Sequence, residues 1–154
     1  VKRASILGQI AQLKSLRVAA YGAAGTPPDP VINFIPVFTA DAAGKAVRFA
    51  YDQLGKAYRF GASGPNQYDC SGLTMSAWKS VGVNLPHSAA EQYRVIKHVT
   101  RAQLRPGDLV FYFHPIHHVG IYVGADKVIN APTYGEPVKI SPLTLAPIAG
   151  YGRP

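Results

Sequence analysis

Apolar residues recur at helical spacing through the first two-thirds of the chain and alternate with the period of a strand in the last third. Cys70, Leu73, Thr74, Ala77, Trp78 and Val81 form one helical stripe, with Asp69 placed to cap its start and Gly82 to stop it. Another helix is predicted over 41–54, where Ala43, Ala46, Val47, Ala50 and Leu54 turn inward and Gly55 follows as the terminator. Ser88-Ala89-Ala90-Glu91 reads as a capping box that opens a further helix to about Ile96. Near the N-terminus, Ile6, Leu7, Ile10, Leu13 and Leu16 share one side of a short amphipathic helix within 4–21. Strands are predicted at 109–113, 119–123, 127–131 and 138–140, the middle two as a hairpin. Helices first and neighbouring strands after predict an α+β fold with helices on a mostly antiparallel sheet.

The breaks in this pattern suggest two parts. Gly22, Gly25 and the run Thr26-Pro27-Pro28-Asp29-Pro30 end the first helix and force extended backbone into an apolar strap over 31–38. Residues 1–38 are thus expected to form a helix and strap bracing a compact domain at 39–154; a segment lying over the active groove is the sharper alternative. At 154 residues the chain buries about two-thirds of its unfolded surface without disulfides or metal. No apolar run is long enough to span a bilayer and no signal-peptide pattern opens the chain, which begins with Val1 as a processed form would. A net charge of +8 points to an anionic partner. The basic residues are scattered without interleaved aromatics, which argues against nucleic acid.

Cys70 is the only cysteine, so it forms no intrachain disulfide. It is either a small buried hydrophobe or a reactive thiol. Its place in the first turn of a helix favours the second, because unpaired N–H groups and the positive dipole end stabilise a thiolate. A base then has to follow. His114, His117 and His118 cluster before a predicted strand, yet no Cys-x-x-Cys or His-Glu-x-x-His accompanies them, so a metal site is the weaker reading. Alternation along the strand puts His118, Gly120 and Tyr122 on one face, and Gly120 leaves room there for a partner side chain. His118 is therefore the candidate base, and His117 is expected at the surface or the rim. Asn130 shares the face of His118 if the hairpin loop is odd-numbered, as Gly124-Ala125-Asp126 would be. An amide oxygen there orients an imidazole, whereas a strand-end asparagine bonded to backbone is an equal alternative on spacing alone.

Four blocks, Asp69-Cys70-Ser71-Gly72-Leu73, Leu85-Pro86-His87-Ser88, Arg105-Pro106-Gly107-Asp108-Leu109-Val110-Phe111 and His118-Val119-Gly120-Ile121-Tyr122-Val123-Gly124, together resemble the NlpC/P60 family of papain-like cysteine peptidases. The details are most similar to its mycobacterial Rip-type members. The resemblance covers about residues 40–152 and implies a helix bearing Cys70 packed against a sheet that carries His118. By the same resemblance Cys70 is the nucleophile, His118 the base and Asn130 the third residue, where the family often has His or Glu. Tyr58 falls in a segment similar to the family's Tyr-x-Trp-Gly-Gly and would help hold the oxyanion, although Phe60 and Ala62 depart from that pattern. Ser71 and His87 are candidates for lining the groove.

The implied activity is a secreted endopeptidase of the cell wall or periplasmic space, acting as a monomer without cofactor or metal. It would cut the peptidoglycan stem peptide between D-isoglutamate and meso-diaminopimelate. A non-catalytic peptidoglycan-binding module of the same fold is the alternative from another class, disfavoured because nucleophile and base are both present, and a papain-like acyltransferase or amidase with another substrate is a third reading that shares the triad.

Overall fold

The computed structural model describes residues 31–154, so the helix expected within 4–21 lies outside the described residues. Among the described residues three helices, α1 (Ala42–Asp52), α2 (Cys70–Lys79) and α3 (Ala89–Val95), precede most of the sheet. Six strands, β3 (Lys97–Val99), β4 (Leu109–Tyr112), β5 (His118–Gly124), β6 (Lys127–Asn130), β7 (Lys139–Pro142) and β8 (Ile148–Arg153), form it in the order β3-β8-β4-β5-β6-β7. Every pairing in this sheet is antiparallel, as the α+β reading expected. Two short strands, β1 (Ala57–Tyr58) and β2 (Gln67–Tyr68), pair in parallel beside it and bracket the glycine-rich loop.

Capping follows the sequence. Asp41 Oδ1 accepts from the Gly44 amide at 2.9 Å and Asp69 Oδ1 from the Gly72 amide at 2.7 Å, each satisfying an orphan donor of a first turn. Only half of the expected capping box forms at α3. Ser88 Oγ accepts from the Glu91 amide at 3.3 Å, but the Glu91 carboxylate turns outward to Arg94 at 2.7 Å.

The sheet has two differently employed faces. Leu109, Phe111, Val119, Ile121, Val123 and Ile129 pack with Ala46, Val47 and Ala50 of α1 and Leu73, Ala77 and Trp78 of α2 in the larger core. The intervening positions Val110, Tyr112, Tyr122 and Val128 pack with Leu143 and Ala146 in a smaller one. Along the strap, Ile32, Phe34 and Phe38 turn toward the larger core while Val31, Ile35 and Val37 are exposed, a period-two alternation.

Several elements differ from the expectation. The strand predicted at 109–113 stops at Tyr112 because Phe113 adopts φ 72°, outside β geometry. The last predicted strand starts one residue later, at Lys139. Strands β3 and β8 were not expected at all. In β8, a Cβ on Gly152 would lie 2.4 Å from Ile96 Cδ1 and one on Gly150 would lie 2.8 Å from the Tyr93 hydroxyl. At both positions α3 and the turn after it lie close against the strand, so a side chain would have to displace the ends of Tyr93 and Ile96, and glycine conceals a strand from propensity reasoning.

Candidate active site

The site begins at the start of α2. The Asp69 carboxylate is fully buried and gathers three segments. Its Oδ2 accepts from the Gly61 amide at 2.7 Å, and its Oδ1 accepts from the Gly72 amide and lies 2.8 Å from His87 Nε2. The glycine-rich loop is thereby fastened to the first turn of α2 and to the turn before α3. The fit is close, since a Cβ on Gly72 would lie 2.1 Å from the Ala62 carbonyl oxygen. Cys70 follows as the first helical residue, 2 % exposed and part of the helix-side core. The dipole end that favours a thiolate is thus shared with a buried carboxylate, which opposes it.

His118 opens β5 opposite Tyr112, with ring centroids 5.6 Å apart. It shares its face with Gly120, Tyr122, Val128 and Asn130. The room left by Gly120 is filled as expected, because a Cβ there would meet Asn130 Cβ and Val128 Cβ at 3.3 Å. His118 Nε2 is 3.0 Å from Asn130 Oδ1, and both residues are completely buried. An amide oxygen only accepts, so the proton of the neutral ring sits on Nε2 and the lone pair on Nδ1. Among the described residues Nδ1 is buried without a hydrogen-bond partner, so no hydrogen bond joins it to the Cys70 thiol. Burial is the main reason that the His118 pKa is lowered to about 4; the Asn130 bond partly opposes this and nearby His117 adds to it. A neutral imidazole is therefore the resting form, and a standing imidazolium is disfavoured.

The hairpin reaches the required parity by another route than expected. Ala125 and Asp126, at φ 52° and 56°, make a two-residue turn that pairs Gly124 with Lys127. Continued without interruption, that register would set Asn130 opposite Ile121 on the helix side. A one-residue shift between Tyr122 and Gly124 instead pairs Ile121 with Ile129, which sets Asn130 opposite Gly120. The bulge supplies the odd residue that a three-residue loop would have supplied.

The other candidates take different places. Tyr58 is buried and stacks edge-on against Tyr134 with centroids 5.1 Å apart. Ser71 is buried within the first turn of α2, its carbonyl accepting from Gln92 Nε2 at 3.0 Å. His87 is held by Asp69 with its side chain 28 % exposed. His117 corrects the expectation of a surface or rim residue: it is 3 % exposed, lies flat on Phe113 at 4.6 Å, and donates from Nδ1 to the Pro115 carbonyl at 2.6 Å. Burial lowers its pKa as well. Among the described residues no group of three histidine, cysteine or carboxylate side chains is placed to hold a metal.

Two polar residues near these candidates were not singled out from the sequence. Gln92, fully buried, accepts from Thr74 Oγ1 at 2.7 Å and donates to the carbonyls of Ser71 and Pro86, tying α2 to the turn that carries His87. Its position facing inward on a short helix was the only available signal. Ser141 accepts from Asn130 Nδ2 at 2.9 Å, a contact created by strand pairing with no local sign in the sequence.

Comparison with known proteins agrees with the fold. The NlpC/P60 family pattern matches residues 55–149. A Mycobacterium tuberculosis protein named “Probable endopeptidase” is 34% identical over 113 residues, covering 71% of this chain and 29% of that protein. The Listeria monocytogenes protein named “Probable endopeptidase p60” is 44% identical over 88 residues, covering 56% of this chain and 18% of its own length. The chain thus spans less than a third of these relatives. The crystal structure of the NlpC/p60 domain of the peptidoglycan hydrolase SagA is similar at a TM-score of 0.68 and 28% identity, covering 73% of this chain and 98% of that one.

Proposed function

Because the chain belongs to the NlpC/P60 family, we propose that it is a cysteine endopeptidase of the bacterial cell wall. Its substrate in this reading is the peptidoglycan stem peptide, cut between D-isoglutamate and meso-diaminopimelate. The endopeptidase names of the relatives and the hydrolase name of the SagA protein support the reaction class. The net charge of +8 suits an anionic wall polymer. Among the described residues no helix is long and apolar enough to cross a membrane.

The observation that carries the reading is the His118–Asn130 bond, which leaves Nδ1 as the one basic atom of a buried imidazole. In the proposed mechanism Nδ1 takes the Cys70 proton as the sulfur attacks the scissile carbonyl. Cys70 belongs to the helix-side core and His118 to the strand face of Tyr122 and Val128, without a hydrogen bond between them, so this reading requires substrate binding to bring the thiol and Nδ1 together. A tetrahedral oxyanion forms, for which Tyr58 is the proposed donor. The C–N bond then breaks, the Nδ1 proton passes to the leaving amine, and an acyl-thioester remains on Cys70. Water, deprotonated by Nδ1, releases the new carboxylate and restores the thiol. Asn130 holds the ring throughout and exchanges no proton.

Mass spectrometry of muropeptides incubated with the protein tests the proposal. New fragments with a free D-isoglutamate carboxylate and a free diaminopimelate amine are expected, and they should vanish with Cys70→Ala. Intact stems after prolonged incubation, with the protein bound to sacculi, would leave the binding-module reading in its place.

A further inference from the structure

An asparagine amide has nearly the same shape in its two orientations, so something must decide which atom faces His118. With Oδ1 toward the ring, Nε2 keeps the proton and Nδ1 is basic. With the amide turned over, Nδ2 donates to Nε2, the ring proton moves to Nδ1, and the basic atom is lost. The deciding groups lie on the far side of the amide, on β7. Asn130 pairs with Lys139 and Val128 with Ser141, so Ser141 is the diagonal neighbour of Asn130 on one sheet face. Asn130 Nδ2 donates to Ser141 Oγ at 2.9 Å and, weakly, to the Lys139 carbonyl at 3.5 Å.

We infer that Ser141 is a positioning residue: its hydroxyl, which can pair with either end of the amide, anchors Asn130 beside the Lys139 carbonyl, and that carbonyl selects the orientation of the amide and thereby the tautomer of His118. The carbonyl breaks the symmetry because it can only accept; a turned amide would set two oxygens against each other. Ser141 Oγ supplies the shorter bond and, being 5 % exposed, cannot be replaced by bulk water at little cost. The catalytic consequence rests on the assignment of His118 as the base, whereas the tautomer itself does not.

The two are separated by measuring both. Nitrogen-15 NMR of the wild-type imidazole at neutral pH should show His118 protonated at Nε2; protonation at Nδ1 overturns the inference without any variant. Ser141→Val should give a mixture of tautomers and a kcat on muropeptide about 3- to 10-fold lower at unchanged KM. Ser141→Thr, of the same shape but with the hydroxyl kept, should restore both. An unchanged tautomer in a folded Ser141→Val overturns the inference. A mixed tautomer with unchanged kcat upholds it and removes His118 from the role of base.

Discussion

His118 and Asn130, on neighbouring strands, are joined at 3.0 Å inside a site where both side chains are shut off from solvent. Losing one partner therefore strands the other. The roles differ, however: the imidazole moves the proton and the amide only orients it. Asn130→Ala is expected to lose about 10- to 1000-fold in muropeptide turnover, and His118→Ala to retain almost nothing. An inactive Asn130→Ala beside an active His118→Ala would mean that the base is misassigned and that His117, whose pKa burial also lowers, or His114 should be tested instead.

Cys70→Ala should reduce turnover by on the order of 10⁴ or more with the fold retained, because nucleophile and base act as a unit. Circular dichroism and turnover measured together check this. Turnover at the parent rate would remove the thiol mechanism.

Acid should act late on catalysis. With His118 lowered to about 4, the base remains unprotonated through mildly acidic pH, and the acid limb of kcat/KM is expected near 4 rather than 6.5. A limb from this group near 6.5 would show that the ring is far better solvated than its burial implies.

The same group links stability to pH. Above 6.5 neither the folded nor the unfolded chain holds the proton, and the contribution is at its full value. As pH falls toward 4 the unfolded chain takes up a proton that the folded one refuses, so stability is lost across that window. The loss from His118 is about 3 kcal/mol when complete. Denaturant titrations of the parent and of His118→Gln across the window should diverge, the parent falling more steeply.

For residues 1–38 a bracing role is proposed. Phe38 stacks edge-on against Tyr51 at 5.3 Å with Arg48 over its ring at 4.9 Å, and Ile32 and Phe34 cover the larger core. Removing 1–38 should lower the melting temperature while muropeptide cleavage persists. A sharp rise in activity at unchanged melting temperature would instead identify a lid.

Helices α1, α2 and α3 were legible in the chain because their signals are local. Asp41, Asp69 and Ser88 each satisfy a donor three residues on, and the apolar stripe of α2 repeats within the helix itself. The order of elements announced the fold class, and the blocks around Cys70 and His118 announced the family. Long-range contacts decided the remainder. The face on which Asn130 stands depends on a one-residue shift in the β5–β6 ladder, which only the packing of both sheet faces selects. Strand β8 joins β3 to β4 and carries glycines where Tyr93 and Ile96 lie close against it, so its own residues disguise it. His117 is buried because Phe113 leaves the strand and offers its ring, a contact invisible to alternation. Ser141 reaches Asn130 only after β7 has paired with β6. Local hydrogen bonds and periodicity are written within a few residues of each other; register, burial and the partner of a buried amide arise from segments that meet only when the chain has folded.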